Sequence, residues 1–181
     1  MNKKLPKIIN QEEFELLLKE ANKVPRITKK RVKEYQLAML LGFEAGMRIS
    51  EIVGFRKDGV QVINPLTKEM IDDSSIRITG KGQKDRIVPR PKRLNEASLK
   101  LLPLSIKRRA LQGFITILGT KVLHRKISFH TLRHGFGSHL AGLNVPLHQV
   151  QMLMGHSRLD TTGIYLHANP KEAISKAQEL F

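Results

Sequence analysis

Six residues of this 181-residue chain are of the types that could attack a phosphodiester with a phenol. They are two arginines, two histidines, a lysine and a tyrosine, namely Arg48, Lys81, His130, Arg133, His156 and Tyr165. Because a phenol has a pKa near ~10, only about 0.1% of it is ionised at neutral pH, a handicap of roughly 4 kcal/mol. Such a nucleophile therefore needs neighbours that accept its proton and stabilise the charge that develops on the phosphate.

The residue types suit separate parts of that reaction. The planar guanidinium of arginine binds two phosphate oxygens at once and keeps its charge, so two arginines from distant segments could clamp one phosphate. A lysine at a hairpin tip could protonate the leaving oxygen, and histidine shares protons near neutral pH. His130 and Arg133 are three apart, so a helix would present both side chains on one face. Lys84 and Arg86 share the turn of Lys81 and could take its place.

The motifs around these residues resemble those of the tyrosine recombinase (phage integrase) family, in its catalytic domain. The likeness covers nearly the whole chain and is densest between Phe129 and His167. Gly-Met-Arg-Ile-Ser-Glu around Arg48 is similar to the family's first box, and the Gly-Lys-Gly turn with Lys81 is similar to its hairpin lysine. His130-x-x-Arg133 is similar to the second box. Gly155-His156, followed by Thr161-Thr162-x-x-Tyr165, is similar to the third.

The resemblance implies an activity and a role for each residue. Tyr165 would attack a DNA phosphate to give a 3′-phosphotyrosyl link and a free 5′-hydroxyl. Lys81 would protonate the leaving 5′ oxygen, and Glu51 would be an accessory acidic residue that orients its neighbours. Arg48 and Arg133 would bind the phosphate. His130 and His156 would support them through proton transfer and hydrogen bonding. No metal and no other cofactor is required.

The charge of the chain predicts a polyanionic partner. It holds 32 Lys+Arg against 16 Asp+Glu, a formal net charge of +16. Nucleic acid is the commonest polyanion for such a surface, and only two tyrosines, seven phenylalanines and no tryptophan are present to stack single-stranded bases. We therefore expect the partner to be double-stranded DNA. The basic clusters supply five further candidates for DNA contacts, which are Lys84, Arg86, Arg90, Lys107 and Arg108.

Composition and spacing argue against several other kinds of site. Without cysteine the chain has no disulfide, no thiolate zinc site and no cysteine nucleophile. His130 and His134 have the i,i+4 spacing of a metal-binding pair, but no glutamate lies between them, and we expect no metal. No apolar run approaches the ~20 residues that cross a bilayer, and there is no signal-peptide pattern. We expect no membrane partner and a cytoplasmic location, on the nucleoid if the protein is prokaryotic.

The pattern of apolar residues predicts an α+β fold that is mainly helical, with a small antiparallel sheet of about three strands, like that of the catalytic domain it resembles. Asn10 with Glu13 predicts a capped first helix, and a second helix is expected at about 30–44. Ser50 is expected to open a short helix that continues through Phe55.

Strands are predicted next, and then further helices. Alternating residues predict two antiparallel strands at 76–79 and 86–89, with a third at 60–63 or near Met70. Tyr35 falls on the inward face of the second helix, so we expect it to be structural. The helices expected after the strands span 105–118, 128–142 with Ser128 as cap, 146–155 with Pro146 first and Gly155 last, and a tail at 169–181.

We expect residues 1–181 to form one catalytic domain. The amino-terminal helical domain with which family members clamp the other side of the duplex has no counterpart here, so we expect either a catalytic fragment or a naturally minimal protein. The tail helix, residues 169–181, would pack on its own domain or dock onto a neighbouring protomer. Recombination of two duplexes implies four protomers in the family's scheme, which predicts a homo-oligomer on DNA in the form of a tetrameric synapse.

Two other functions are compatible with the same residues. A type IB topoisomerase-like enzyme uses this chemistry to relax supercoiled DNA as a monomer, without recombining two sites. A module that only binds DNA would gain nothing from keeping the nucleophile, and the complete set of six residues argues against it. Both enzyme functions and the binding module should lose DNA affinity steeply as salt rises, since phosphate contacts release counterions.

Overall fold

The computed structural model describes residues 8–79 and 85–155. The α-helices in this part of the chain are α1 (Gln11–Ala21), α2 (Lys29–Glu44), α3 (Ile49–Val53), α4 (Glu96–Leu99), α5 (Arg108–Leu123), α6 (Phe129–Gly142) and α7 (Leu147–Met154). The strands are β1 (Phe55–Lys57), β2 (Val60–Ile63), β3 (Ser75–Thr79) and β4 (Asp85–Pro89). The predicted tail helix at 169–181 lies outside the described residues. None of the helices within these two ranges is long and apolar enough to cross a membrane.

The first two helices lie as predicted. The side chain of Asn10 accepts a hydrogen bond from the backbone N–H of Glu13 at 2.8 Å, and the Glu13 carboxylate accepts one from the backbone N–H of Asn10 at 3.3 Å. This capping box starts α1 and turns the buried Phe14 and Leu17 toward the core. Thr28 caps α2, which ends at Glu44 as expected.

The core lies where α1, α2, α5 and α6 pack against one another. The rings of Phe14 and Phe43 stack with centroids 4.0 Å apart. Tyr35 stacks on Phe114 at 4.2 Å and is only 7% exposed, which confirms its structural role. The core therefore fixes α6 against α2, and α6 carries two of the predicted catalytic residues.

The chain turns between α2 and β1 differently from the prediction. Ser50 does not open α3, because Arg48 is the residue before its first turn and its backbone N–H donates to the Glu51 carboxylate at 2.6 Å. The helix also ends before Phe55, since Gly54 adopts a φ of 77°, a left-handed conformation that side chains disfavour. Phe55 therefore begins a strand instead of ending a helix.

The antiparallel strands form two separate two-stranded sheets instead of one sheet of three strands. As predicted, β3 pairs with β4, with Ile76 opposite Val88. The expected third strand exists as β2, but it pairs with β1. Near Met70 the chain forms a single 3-10 turn, followed by one isolated bridge from Ile71 to Ile76.

The later helices lie near their predicted positions, but α5 and α7 start later than predicted and α5 continues to Leu123, past the expected end at Leu118. α5 starts at Arg108 instead of Ser105, because the buried Glu34 carboxylate holds the Ser105 backbone N–H at 3.0 Å and its hydroxyl at 2.7 Å. Ser128 caps α6 with Thr131 as predicted. Pro146 is the cap of α7 and not its first residue, and Gly155 ends α7 with a φ of 58°.

Candidate functional site

Three of the six predicted catalytic residues line one open groove of about 1360 Å³. Arg48 precedes α3, and His130 and Arg133 share one face of α6, so residues far apart in sequence meet there. We call this groove the basic groove, since the charged and histidine side chains along it are Arg48, Arg56, Lys107, Arg108, Arg109, His130 and Arg133. The other predicted residues Lys81, Lys84, His156 and Tyr165 lie outside the described residues.

Arg133 is buried, with only 1% of its surface exposed. Its two terminal nitrogens donate hydrogen bonds to the backbone carbonyl oxygens of Gly46 and Met154. These bonds hold the guanidinium between the turn after α2 and the end of α7. The groove wall thus contains a positive charge whose position is set by the backbone and does not depend on a flexible side chain.

Arg48 is held at one side and open at the other. One terminal nitrogen donates to a Glu51 oxygen at 2.9 Å, and the other donates to the carbonyl oxygen of Gly155 at 2.7 Å. Its side chain is nevertheless 41% exposed. Because a guanidinium carries five N–H donors, these two bonds leave donors that can reach an anion in the groove.

Glu51 is the acidic centre of the site and is only 4% exposed. Besides Arg48, its carboxylate binds Arg86, whose terminal nitrogens lie 2.8 and 3.0 Å from the two oxygens. The placement of Arg86 differs from that expected of a surface DNA contact, because its side chain is only 10% exposed. Burial lowers the pKa of Arg86; the charge of Glu51 opposes this shift and the charge of Arg48 adds to it. The DNA contact predicted for Arg86 stays a prediction.

The sequence contains a partial signal for this placement, because it puts Arg86 and Val88 on one face of a strand without showing which face is buried. Side chains alternate between the two faces of a strand, so Arg86 shares its face of β4 with the buried Val88, whereas Asp85 and Ile87 are exposed. An arginine on the buried face of a short strand requires a buried anion or carbonyl oxygens, and Glu51 and Leu153 supply these here.

The end of α7 is the meeting point of the three arginines. Three consecutive carbonyl oxygens each accept a hydrogen bond from a different arginine: Leu153 from Arg86, Met154 from Arg133, and Gly155 from Arg48. The last carbonyls of a helix lack partners within the helix and carry partial negative charge, so they suit guanidinium groups. His156, a predicted catalytic residue, follows Gly155 directly in the sequence.

The two histidines of α6 lie against each other. The rings of His130 and His134 meet edge to face with centroids 4.2 Å apart. Loss of solvent lowers the pKa of His130, and the nearby charges of Arg133 and Arg48 lower it further. Burial lowers the pKa of His134 to about 4, with contributions from His130 and Arg133. Both imidazoles are therefore neutral near pH 7, and a neutral imidazole can accept a proton.

The described residues contain no cluster of three or more acidic or histidine side chains that could hold a metal ion. Lys107 and Arg108, predicted to contact DNA, both line the basic groove, and the Arg108 guanidinium lies 5.7 Å from the centre of the Phe55 ring. Arg90 lies apart from these, donating to the carbonyl oxygens of Asp72 and Leu94 at 3.2 and 2.9 Å. Arg56, which follows Phe55 in β1, also lines the groove, although it was not among the residues predicted to contact DNA.

Comparison with known proteins gives one family. Residues 103–172 match the model of the phage integrase family. A tyrosine recombinase of Pseudothermotoga lettingae is 30% identical over 195 residues, covering 97% of this chain and 63% of that protein. The tyrosine recombinase XerD of Staphylococcus aureus is 29% identical over 202 residues, covering 99% of this chain and 64% of that protein. The chain thus spans less than two thirds of the length of these curated relatives.

Solved structures share the fold. The site-specific recombinase XerH, bound to its difH substrate in a pre-cleavage complex, is 26% identical with a TM-score of 0.72, covering 97% of this chain and 54% of that one. The catalytic domain of bacteriophage HP1 integrase is 20% identical with a TM-score of 0.63, and 94% of each chain is covered. These likenesses confirm the predicted fold class, which is mainly helical with small antiparallel sheets.

Proposed function

Because the chain belongs to the tyrosine recombinase (phage integrase) family, we propose that it cleaves and rejoins duplex DNA at specific sites through a 3′-phosphotyrosyl intermediate. The observation that carries this proposal is the meeting of Arg48, Arg133 and His130 in one groove from elements far apart in sequence. Arg48, held by Glu51 and the Gly155 carbonyl and 41% exposed, would donate to the phosphate, while the buried Arg133 adds a fixed positive charge in the groove wall. Such preorganisation supplies much of the catalysis in phosphoryl transfer.

The proposed reaction balances without an external energy source. The Tyr165 oxygen forms a bond to phosphorus while the bond from phosphorus to the 5′ oxygen breaks, giving a 3′-phosphotyrosyl ester and a 5′-hydroxyl. The phenol proton passes to a histidine, His130 or His156, and Lys81 gives a proton to the leaving 5′ oxygen. Attack by another 5′-hydroxyl reverses these steps, releases Tyr165 and joins the strands.

The wider assembly is proposed by analogy with the family's scheme. We propose that residues 1–181 act as the catalytic domain and that a homo-oligomer of four protomers brings two duplexes together. The tail helix predicted at 169–181 would dock within its own protomer or onto a neighbour. Double-stranded DNA is the proposed partner, contacted by the basic groove and by the predicted residues Lys84 and Arg90, in the cytoplasm and on the nucleoid if the protein is prokaryotic.

The test uses nicked suicide duplexes from a candidate site, with the parent chain and Tyr165→Phe compared on a denaturing gel. We expect a covalent protein–DNA band from the parent chain and none from the variant. A band of equal strength from Tyr165→Phe would overturn the proposed nucleophile. Salt-sensitive binding with no band from either protein would favour the binding module, and relaxation of any supercoiled plasmid would favour a topoisomerase-like enzyme.

A further inference from the structure

We propose that Arg86 is a positioning residue that holds the end of α7, and with it the start of the segment carrying His156 and Tyr165, in place beside Arg48. The inference rests on the proposed function, because it assigns a role in that reaction to a side chain that would not touch the DNA. It departs from the surface phosphate contact that the position of Arg86 in a basic turn suggests.

The first step of the argument is the bond between Arg86 and Glu51. Both oxygens of the buried carboxylate receive a guanidinium nitrogen, at 2.8 and 3.0 Å. A two-point contact of this kind fixes direction as well as distance. Since Glu51 also binds the side chain and the backbone N–H of Arg48, the position of Arg86 is tied to that of Arg48 through one carboxylate.

The second step is the bond from Arg86 to α7. Its Nε donates to the carbonyl oxygen of Leu153 at 3.1 Å. The stem of the same side chain packs on the helix end, because a Cβ added to Gly155 would lie only 2.7 Å from the Arg86 Cδ. Arg86 therefore contacts the last turn of α7 through both a hydrogen bond and van der Waals packing.

The third step concerns what lies next in the sequence. Arg86 is five residues after Lys81, at the start of β4, and Gly155 directly precedes His156. The buried Arg86 side chain thus joins two elements. One is β4, which follows Lys81, and the other is α7, which precedes His156 and Tyr165 in the sequence. Misplacement of reacting groups by about 1 Å can cost roughly 100-fold in rate, so loosening this joint should slow the chemistry.

A role in phosphate binding explains these contacts less well. The Arg86 side chain is 10% exposed, and its donors already serve Glu51, Leu153 and, at 3.4 Å, the carbonyl oxygen of Gly46. A phosphate would have to displace these acceptors. Arg48, by comparison, is 41% exposed beside the groove. The geometry therefore gives the two arginines different tasks.

The test compares Arg86→Met and Arg86→Lys with the parent chain, and uses Arg77→Met as the matched control. Arg77 is an exposed arginine of the paired strand β3, with an ion pair of 3.5 Å to Asp72, so its removal deletes the same charge from the same sheet. Three quantities are measured: DNA affinity, the rate of covalent product formation at saturating DNA, and hydrogen exchange of the Met154 and Gly155 amides.

We expect Arg86→Met to form the covalent product about 10- to 100-fold more slowly, while its DNA affinity matches that of Arg77→Met. The amides at the end of α7 should exchange faster in Arg86→Met only. Arg86→Lys should recover part of the rate, because lysine keeps the charge beside Glu51 but lacks the planar fork that also reaches Leu153.

A parent-like rate in Arg86→Met, or a loss of affinity greater than in Arg77→Met, would overturn the positioning role. If Arg86→Met does not fold, Arg86→Lys decides the question, and a full rate with parent-like amide exchange in that variant refutes it. If the parent chain itself forms no covalent product, the proposed function fails. Amide exchange then shows independently whether Arg86 holds the helix end.

Discussion

The guanidinium of Arg48 donates a hydrogen bond of 2.7 Å to the carbonyl oxygen of Gly155, which lies 107 residues later in the chain. This bond joins the start of α3 to the end of α7, and the bonds made by Arg86 and Arg133 join β4 and α6 to the same helix end. Within the cluster, Glu51 forms ion pairs with both Arg48 and Arg86, so the three arginines carry more positive charge than this one carboxylate balances. A centre of this kind attracts a phosphate and needs rigid support.

Gly155→Ala should destabilise the domain by about 1–2 kcal/mol. The position has a φ of 58°, which disfavours any Cβ, and the new atom would lie 2.7 Å from the Arg86 Cδ. Urea unfolding measures the change. The matched control is Gly113→Ala in α5, where a Cβ meets nothing within 4 Å and alanine should stabilise the helix by about 0.5–1 kcal/mol. Equal effects at the two positions would contradict the close packing of Arg86 on Gly155.

Glu51→Gln should destabilise the domain by about 3 kcal/mol, because it removes the charge that faces two arginines while one of these, Arg86, is largely buried. The free energy of unfolding in urea measures the loss. Glu96→Gln serves as the control, since Glu96 is 70% exposed and forms a surface ion pair with Lys68, for which less than about 1 kcal/mol is expected. A loss at Glu51 as small as that at Glu96 would show that the buried carboxylate is not needed to hold the arginines.

Local signals in the sequence were enough to place much of the fold. The caps at Asn10 and Ser128 depend on residues three apart, and both were found where predicted. One error, the start of α5, occurs where a distant residue decides the local structure. α5 begins three residues late because Glu34 holds Ser105, and these two are 71 residues apart. No pattern within a short window contains that contact.

The candidate site was predictable in its residue types but not in its internal bonds. Arg48, His130 and Arg133 were chosen from short motifs, and the fold brings them to one groove. That carbonyl oxygens of α7 would bind three arginines could not be read from the sequence, because it depends on how α7 packs against β4 and α6. Alternation along β4 places Arg86 on the same face as Val88, but which face is buried depends on packing against α7, and the charge of the surrounding turn suggested a DNA contact.

DNA binding through the basic groove should show in the dependence of affinity on salt. Affinity falls as salt rises, and each phosphate contact contributes about −0.9 to the slope of log affinity against log salt. Replacing both Lys107 and Arg108 with glutamine should therefore make this slope less negative by about 1.8. Fluorescence anisotropy at several salt concentrations measures the slope. Both residues line the groove, and Arg108 also lies over the Phe55 ring at 5.7 Å.

The matched control for this double variant is Lys23→Gln with Lys68→Gln. These lysines form ion pairs with Glu20 and Glu96, at 2.6 and 3.2 Å, and neither lines the groove. The control removes the same charge from the protein, so it should leave the slope close to that of the parent chain. Equal slopes for the two double variants would mean that net charge, and not the groove, governs binding.

The pair of histidines on α6 should make the domain less stable in mild acid. Burial, His130 and Arg133 together lower the pKa of His134 to about 4, compared with 6.5 for an ordinary histidine. In the unfolded chain this imidazole therefore binds a proton at a higher pH than in the folded chain. The contribution of neutral His134 to stability is complete above about pH 6.5 and is lost progressively as the pH falls toward 4. The difference in pKa corresponds to about 3 kcal/mol, which solvent screening of this half-buried ring reduces to roughly 2–3 kcal/mol.

His134→Gln tests this directly, because the variant cannot take up the proton. The free energy of unfolding should fall less steeply between pH 6.5 and 4 in the variant than in the parent chain, and the two profiles should run parallel above pH 6.5. NMR titration of the ring protons gives an independent value, with the variant identifying the His134 signal. Since the rings of His130 and His134 are 4.2 Å apart, a proton on one disfavours a proton on the other, and their titrations are linked. A His134 midpoint near 6.5, or equal pH slopes in both proteins, would show that the edge-to-face pair does not exclude protons from the folded site.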